Sequence, residues 1–148
     1  MATPIFSLDA DAHLLVPVDF SNHSRVALQT AAEMIRKAQG GKLTLLTVVE
    51  PPTNALRIQT GDLHKLMETE ATRHLQEWIR KEVPDLKTVR TAVKFGRPGE
   101  EICKQAEKRK ASLIVISSHG YTGLKHYMLG SVAEKVVRHA KIPVLVVR

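Results

Sequence analysis

The sequence predicts an α/β protein: a doubly wound, five-stranded parallel sheet with strand order 3-2-1-4-5 and helices on both faces. Three features lead there. Short runs rich in aliphatic and β-branched residues alternate strictly with amphipathic segments from His13 to the C-terminus. Glycine, proline and N-cap residues stand at the junctions between these segments. The resulting order, β-α-β-α-β-α-β-α-β, requires parallel strands joined by right-handed crossovers, with each crossover helix lying on one side of the sheet.

The first run, HLLVPVD from His13, ends in a carboxylate and is followed by FSNHS, where Ser21 and Asn22 are N-cap candidates. Ala27, Ala31, Met34 and Ala38 then share a helical face with Leu28 and Ile35. Gly40 and Gly41 sit where a helix C-terminus accepts positive φ, so this helix is predicted to end near Gln39. KLTLLTVV from Lys42 is a second, buried strand, stopped at Glu50-Pro51-Pro52 because proline cannot donate to an interior ladder. The stretch from Pro51 to Thr60 is linker-like in composition.

Between Asp62 and Lys81, the stripe Leu63, Leu66, Met67, Ala71, Leu75, Trp78 and Ile79, with Glu70 and His74 in it, describes the longest helix. Asp62 is its expected cap, and Trp78 reads as core. TVRTAVKF sets Val89, Thr91, Val93 and Phe95 against Arg90, Ala92 and Lys94, a strand with one wet face, as at a sheet edge. GRPGEE puts Pro98 at a helix start with acids in the first turn, which the helix dipole favours, and Ile102 and Ala106 facing inward. SLIVIS is a fourth strand, apolar on both faces. Val132, Ala133, Val136, Val137 and Ala140 form a short last helix, and Pro143 separates it from VLVVR, the fifth strand.

A chain of 148 residues with 43% hydrophobic and 25% charged residues is expected to form a single domain, 1–148, and is unlike a disordered one. Its longest apolar runs are far too short for a bilayer, and the N-terminus lacks the basic and apolar regions of a signal peptide. Cys103 is alone, which excludes an internal disulfide and a cysteine metal cluster; a cytoplasmic setting is expected, with no membrane partner. The net charge of +7 favours polyanions. Yet the cations are dispersed, with a modest cluster at Lys104, Lys108, Arg109 and Lys110 that reads as a solvated helix face, and aromatic residues make up only 4%. Charge-driven nucleic-acid binding is therefore the disfavoured alternative.

In doubly wound, Rossmann-like sheets, ligands bind beyond the carboxyl ends of the strands where the winding reverses, here between strands one and four. That rule selects Pro17-Val18-Asp19 and Ile116-Ser117-Ser118-His119-Gly120. A carboxylate accepts from an amine or a sugar hydroxyl, while main-chain N–H groups around residues 117–132 and a helix N-terminus suit phosphate oxygens. Asp19 can equally hold the turn into the first helix, and Ser131 can cap the last one. The segment matches neither a P-loop nor a dinucleotide fingerprint. His119 and His126 lack a third ligand for zinc, and Ser131 has no visible base and orienting acid, so no catalytic residue is assigned. Cys103 reads as a small hydrophobe.

At this point VPVDFSNHS, LTLLTVVE, GRPGEEI and LIVISSHGYTGLKHYMLGSVAEKVVRHAKIPVLVVR resemble the universal stress protein family over nearly the whole chain. Nucleotide-binding members carry G-x2-G-x9-G-S/T. Gly120 matches the second glycine, YTGLKHYML the nine residues, and Gly130-Ser131 the final pair, whereas Ser117 replaces the first glycine. The resemblance implies that Gly120, Gly130 and Ser131 hold the phosphates and ribose of ATP, AMP or ADP, with Mg2+ bound through the phosphates. It implies that Asp19 contacts adenine or ribose, that Pro17 and Val18 wall the base, that Val48 offers it backbone groups, and that Ile116, His119 and Val132 line the pocket. It also implies a homodimer through Val144 to Arg148. The expected role is nucleotide-dependent interaction with a protein partner in the stress response, with at most slow hydrolysis. The alternative is a dimeric module of the same fold whose crevice Ser117 closes to nucleotide.

Overall fold

The computed structural model describes residues 8–51, 61–120 and 128–148. The linker-like segment beyond Pro51, and Gly123 and His126 with it, lie outside the described residues. The chain runs β1 (His13–Pro17), α1 (Asn22–Lys37), β2 (Lys42–Val49), α2 (Gly61–Glu82), β3 (Val89–Phe95), α3 (Pro98–Lys108), β4 (Leu113–Ser117), α4 (Ser131–His139) and β5 (Val144–Val147). All pairings are parallel and the order is β3-β2-β1-β4-β5, as the sequence predicts.

Each strand feeds both faces because its side chains alternate. Leu14, Val16, Leu43, Leu45 and Val115 pack under Ala27, Leu28 and Ala31 of α1 and Leu75 of α2. Leu15, Leu46, Ile114 and Ile116 pack on the other face, under Ile102 and Ala106 of α3 and Ala133 and Val136 of α4. Two helices thus cover each face. Trp78 packs, half-buried, against the first cluster, and Cys103 against the second. Among the described residues, no helix is long and apolar enough to cross a membrane.

The structure corrects several local expectations. The left-handed residue after α1 is Gln39, with φ of 53°, followed by Gly41 at 108°. Gly40 is needed for space instead, since a Cβ there would lie 2.8 Å from the Ala10 carbonyl oxygen. Asp62 is not the cap of α2 but lies inside its first turn, because the helix already starts at Gly61. On β3 the face expected to be wet is partly dry, for Ala92 joins the buried cluster of Leu46, Ile102 and Ala106. Val137 of α4 is exposed, while Val136 beside it is fully buried.

Candidate functional site

β1 and β4 pair only at Leu14↔Leu113 and Leu15↔Ile114. Beyond those rungs they part, whereas β1 stays on β2 as far as Pro17↔Leu46 and the Val18 N–H donates to the Leu46 carbonyl at 2.8 Å. The split opens a cleft of about 320 Å3 at the point where the winding reverses. Small-molecule sites occupy roughly 300–1,000 Å3, so the cleft is of that kind. Pro17, Val18, Asp19, Val48, Ile116, Ser117, His119, Gly120, Gly130, Ser131 and Val132 all line it. The strand ends and the start of α4 selected from the sequence thus meet around one cleft.

Asp19 combines the two geometries the sequence left open. Its Oδ1 accepts from the Ser21 N–H at 3.0 Å, which holds the turn into α1, and the Ser21 hydroxyl in turn accepts from the Ser24 N–H at 3.2 Å to cap that helix. The same carboxylate also faces β4: a Cβ on Gly120 would lie 2.6 Å from Asp19 Oδ2. Only a residue without a side chain lets the two segments approach so closely. At Gly130 a Cβ would sit 3.2 Å from the Ser118 carbonyl oxygen, so both glycines hold open narrow approaches.

The main-chain donors around residues 117–132 are fewer than the sequence suggested. Ser118 N–H donates to the Val147 carbonyl and Gly130 N–H to the Ser118 carbonyl, each at 2.7 Å, so both are engaged within the protein. The second bond also ties the two ends of the glycine segment together. Gly130 is the N-cap of α4 and makes no side-chain cap, which places Ser131 inside the helix, not at its cap. The first intrahelical bond runs from Glu134 N–H to the Gly130 carbonyl, leaving the amides of Ser131, Val132 and Ala133 ahead of it at the cleft wall. These amides, with the positive end of the helix dipole, are the groups suited to an anion.

His119 adds a polar atom left unsatisfied among the described residues. Its Nδ1 lies 2.8 Å from Ser118 Oγ, while its buried Nε2 has no hydrogen-bond partner among the described residues. The His23 ring is 5.8 Å away, centroid to centroid. Such an orphan is normally satisfied by something bound, water or ligand. The orphan nitrogen, the Gly120 approach and the α4 amides together fit a ligand with both polar edges and an anionic part. Among the described residues there is no group of three or more His, Cys, Asp or Glu that could hold a metal ion.

Sequence reasoning passed over Ser24, Leu46, Glu50, Pro98, Ile102 and Ala133, which also line the cleft beside Ser118 of the selected strand end. Glu50 had a signal: it ends an apolar run just as Asp19 does. A separate groove of about 360 Å3 runs between α3 and α4, past Cys103, Lys135 and His139. It is slightly larger, but its charges neutralise one another, with Lys135 Nζ 2.7 Å from Glu100 Oε1. Burial, and then Glu107, push the Cys103 thiol up, which disfavours the thiolate there.

The Universal stress protein family model matches residues 12–148. The chain belongs to that family. It is 32% identical to universal stress protein MJ0577 of Methanocaldococcus jannaschii, over 91% of this chain and 93% of the relative. The solved structure of MJ0577 superposes with a TM-score of 0.79 and covers 93% of this chain and 96% of its own. Universal stress protein UspA from Lactobacillus plantarum is 26% identical with a TM-score of 0.78, covering 96% and 100%. The Archaeoglobus fulgidus universal stress protein solved in complex with dAMP shares the fold at 23% identity and a TM-score of 0.62, covering 94% and 98%.

Proposed function

We propose that this family member binds ATP, or AMP or ADP, in the cleft between β1 and β4, and acts by offering a partner a surface that depends on nucleotide occupancy. The observation that carries the reading is the convergence, at the point where the winding reverses, of the Asp19 carboxylate, the Gly120 approach and the first-turn amides of α4. In this reading Asp19 accepts from a ribose hydroxyl or the adenine amine. Val18 and Ile116 sandwich the base, main-chain groups of Val48 meet its edge, and the Ser131 hydroxyl and the α4 amides take the phosphates. Mg2+ would supply charge neutralisation through phosphate oxygens, since among the described residues no group of carboxylates or histidines forms a cage for it. A fellow family member is solved with dAMP, an adenine nucleotide, and that supports the choice of base. Turnover is not part of this reading, which rests on binding groups alone. A cytoplasmic setting suits the single cysteine, and one domain suffices for all these roles.

Equilibrium calorimetry with Mg-ATP tests the reading. A Kd below about 1 mM, roughly −4 kcal/mol, is expected, and no detectable binding at that concentration overturns it. Ser117, at the end of β4, faces the cleft where related motifs carry glycine. Ser117→Gly should change the affinity by less than about tenfold, or 1.4 kcal/mol. Binding that appears only in this variant would favour the alternative, a module whose crevice excludes nucleotide.

The partner surface in this proposal includes a second copy of the chain. Among the described residues β5 pairs only with β4, at one end of the strand order, and its Leu145 is exposed. An apolar open edge favours pairing with an identical one in a closed dimer.

A further inference from the structure

We propose that Phe20 is a positioning residue, whose left-handed backbone and aromatic contacts with α2 set the direction of the Asp19 carboxylate in the cleft; this rests on the nucleotide reading above. Phe20 directly follows Asp19 and has φ of 64°. A bulky side chain avoids that region, and glycine would enter it freely. Such a conformation persists where the surroundings enforce it. Here the Phe20 ring meets Trp78 edge-to-face at 5.2 Å and His74 edge-to-face at 5.7 Å, residues one helical turn apart on α2. Trp78 is in turn held by Arg25, whose guanidinium lies 5.8 Å over the ring and whose Nε is 3.0 Å from Glu82 Oε1.

The consequence is local and directional. With its ring seated against α2, Phe20 reverses the chain between the extended end of β1 and the extended Ser21, at φ −74° and ψ 162°. That reversal turns the Ser21 N–H back onto Asp19 Oδ1 and leaves Oδ2 toward Gly120. No residue of α2 lines the cleft. Through Phe20 the helix nevertheless governs the carboxylate that does. Glycine at position 20 would give the same backbone without strain, so a phenylalanine there indicates that the ring is needed.

The test uses the full chain with Phe20→Ala, Phe20→Tyr, Asp19→Ala and the double variant. Two quantities are read: the Ser21 amide by NMR, in chemical shift and hydrogen exchange without nucleotide, and the affinity for Mg-ATP. Phe20→Ala should keep a folded spectrum, lose the Ser21 amide protection, and bind Mg-ATP about tenfold more weakly, as expected for one misdirected charged hydrogen bond. Phe20→Tyr, which keeps the ring, should restore both. In the Asp19→Ala background, Phe20→Ala should alter affinity by less than about twofold, because it acts through that carboxylate. Equal losses with and without Asp19, or an unchanged Ser21 amide in folded Phe20→Ala protein, would overturn the proposal. Should Phe20→Ala not fold, Trp78→Leu removes the ring's partner and is read the same way. If the wild-type chain binds no nucleotide, the functional reading fails by itself, and the Ser21 amide still decides the role of Phe20.

Discussion

A single methyl group added at Gly120 would separate the structural and binding duties of Asp19. The new Cβ would arrive 2.6 Å from Oδ2, and the end of an exposed side chain can swing aside. Gly120→Ala should therefore change stability by less than about 1 kcal/mol, since surface side chains relax cheaply. Mg-ATP affinity should fall by about tenfold or more as the carboxylate turns away; thermal melts and calorimetry on one sample separate the two. Asp19 and the Ser117–Gly120 segment were legible because a polar residue closing an apolar run stands out, and topology says which run-ends meet. Glu50 carries the same signature, hidden by the prolines that follow it. Ser24, Leu46, Pro98 and Ile102 reach the cleft through packing, which no spacing in the sequence encodes. The strained backbone of Phe20 was equally invisible, since phenylalanine after a strand reads simply as apolar.

For the elements, periodicity gives the identity of a helix more readily than the depth of its burial. The stripe on α2 is helical as expected, yet within it Leu75 is fully buried while Leu66 is 59% exposed. α2 lies toward the β3 side of the sheet, where only part of its apolar face has strands beneath it. Leu75→Ala should cost about 2–5 kcal/mol, as for a filled core site. Leu66→Ala should stay within about 0.5 kcal/mol, and denaturant midpoints of the two variants measure the contrast. β3 shows the converse: Ala92 looked solvent-facing by alternation but is 6% exposed, because it belongs to the buried cluster that holds Leu46 of β2 and Ile102 and Ala106 of α3. The start of α4 shows how little a cap is worth as a sequence signal where glycine precedes serine. Gly130 takes the cap position, and Ser131 is left to the cleft.

Across the whole molecule, the strand ends form two poles of different character. At the pole opposite the cleft, His13 Nδ1–H donates to the Arg109 carbonyl at 3.2 Å, so Nε2 accepts from the Thr44 hydroxyl at 2.8 Å. Burial first, and then the cations Arg109, Lys42 and Arg90, hold the His13 pKa below its usual 6.5, against the opposing pull of the Arg109 carbonyl. The native state thus prefers neutral His13. Its contribution to stability is complete above pH 6.5 and is lost as the pH falls from there through the lowered native value, where the unfolded chain binds the extra proton. His13→Gln should accordingly lose less stability than wild type between neutral pH and pH 5, measured by denaturant unfolding at each pH. At the β5 edge, Leu145→Asp should convert the proposed dimer to monomer by light scattering while leaving the thermal midpoint of the fold near that of wild type; a monomeric wild-type mass would remove the dimer. The central place of β1 has a further consequence during synthesis. His13 finds Ser112 only after 99 more residues have been added. At about 5–20 residues per second, the ribosome delivers that neighbour roughly 5–20 s later. Leu14, Leu15 and Val16, fully buried once folding is complete, meanwhile front an open strand edge on the nascent chain. Translation arrested just before β4 should leave a holdase-binding intermediate, and its release should coincide with the emergence of Leu113.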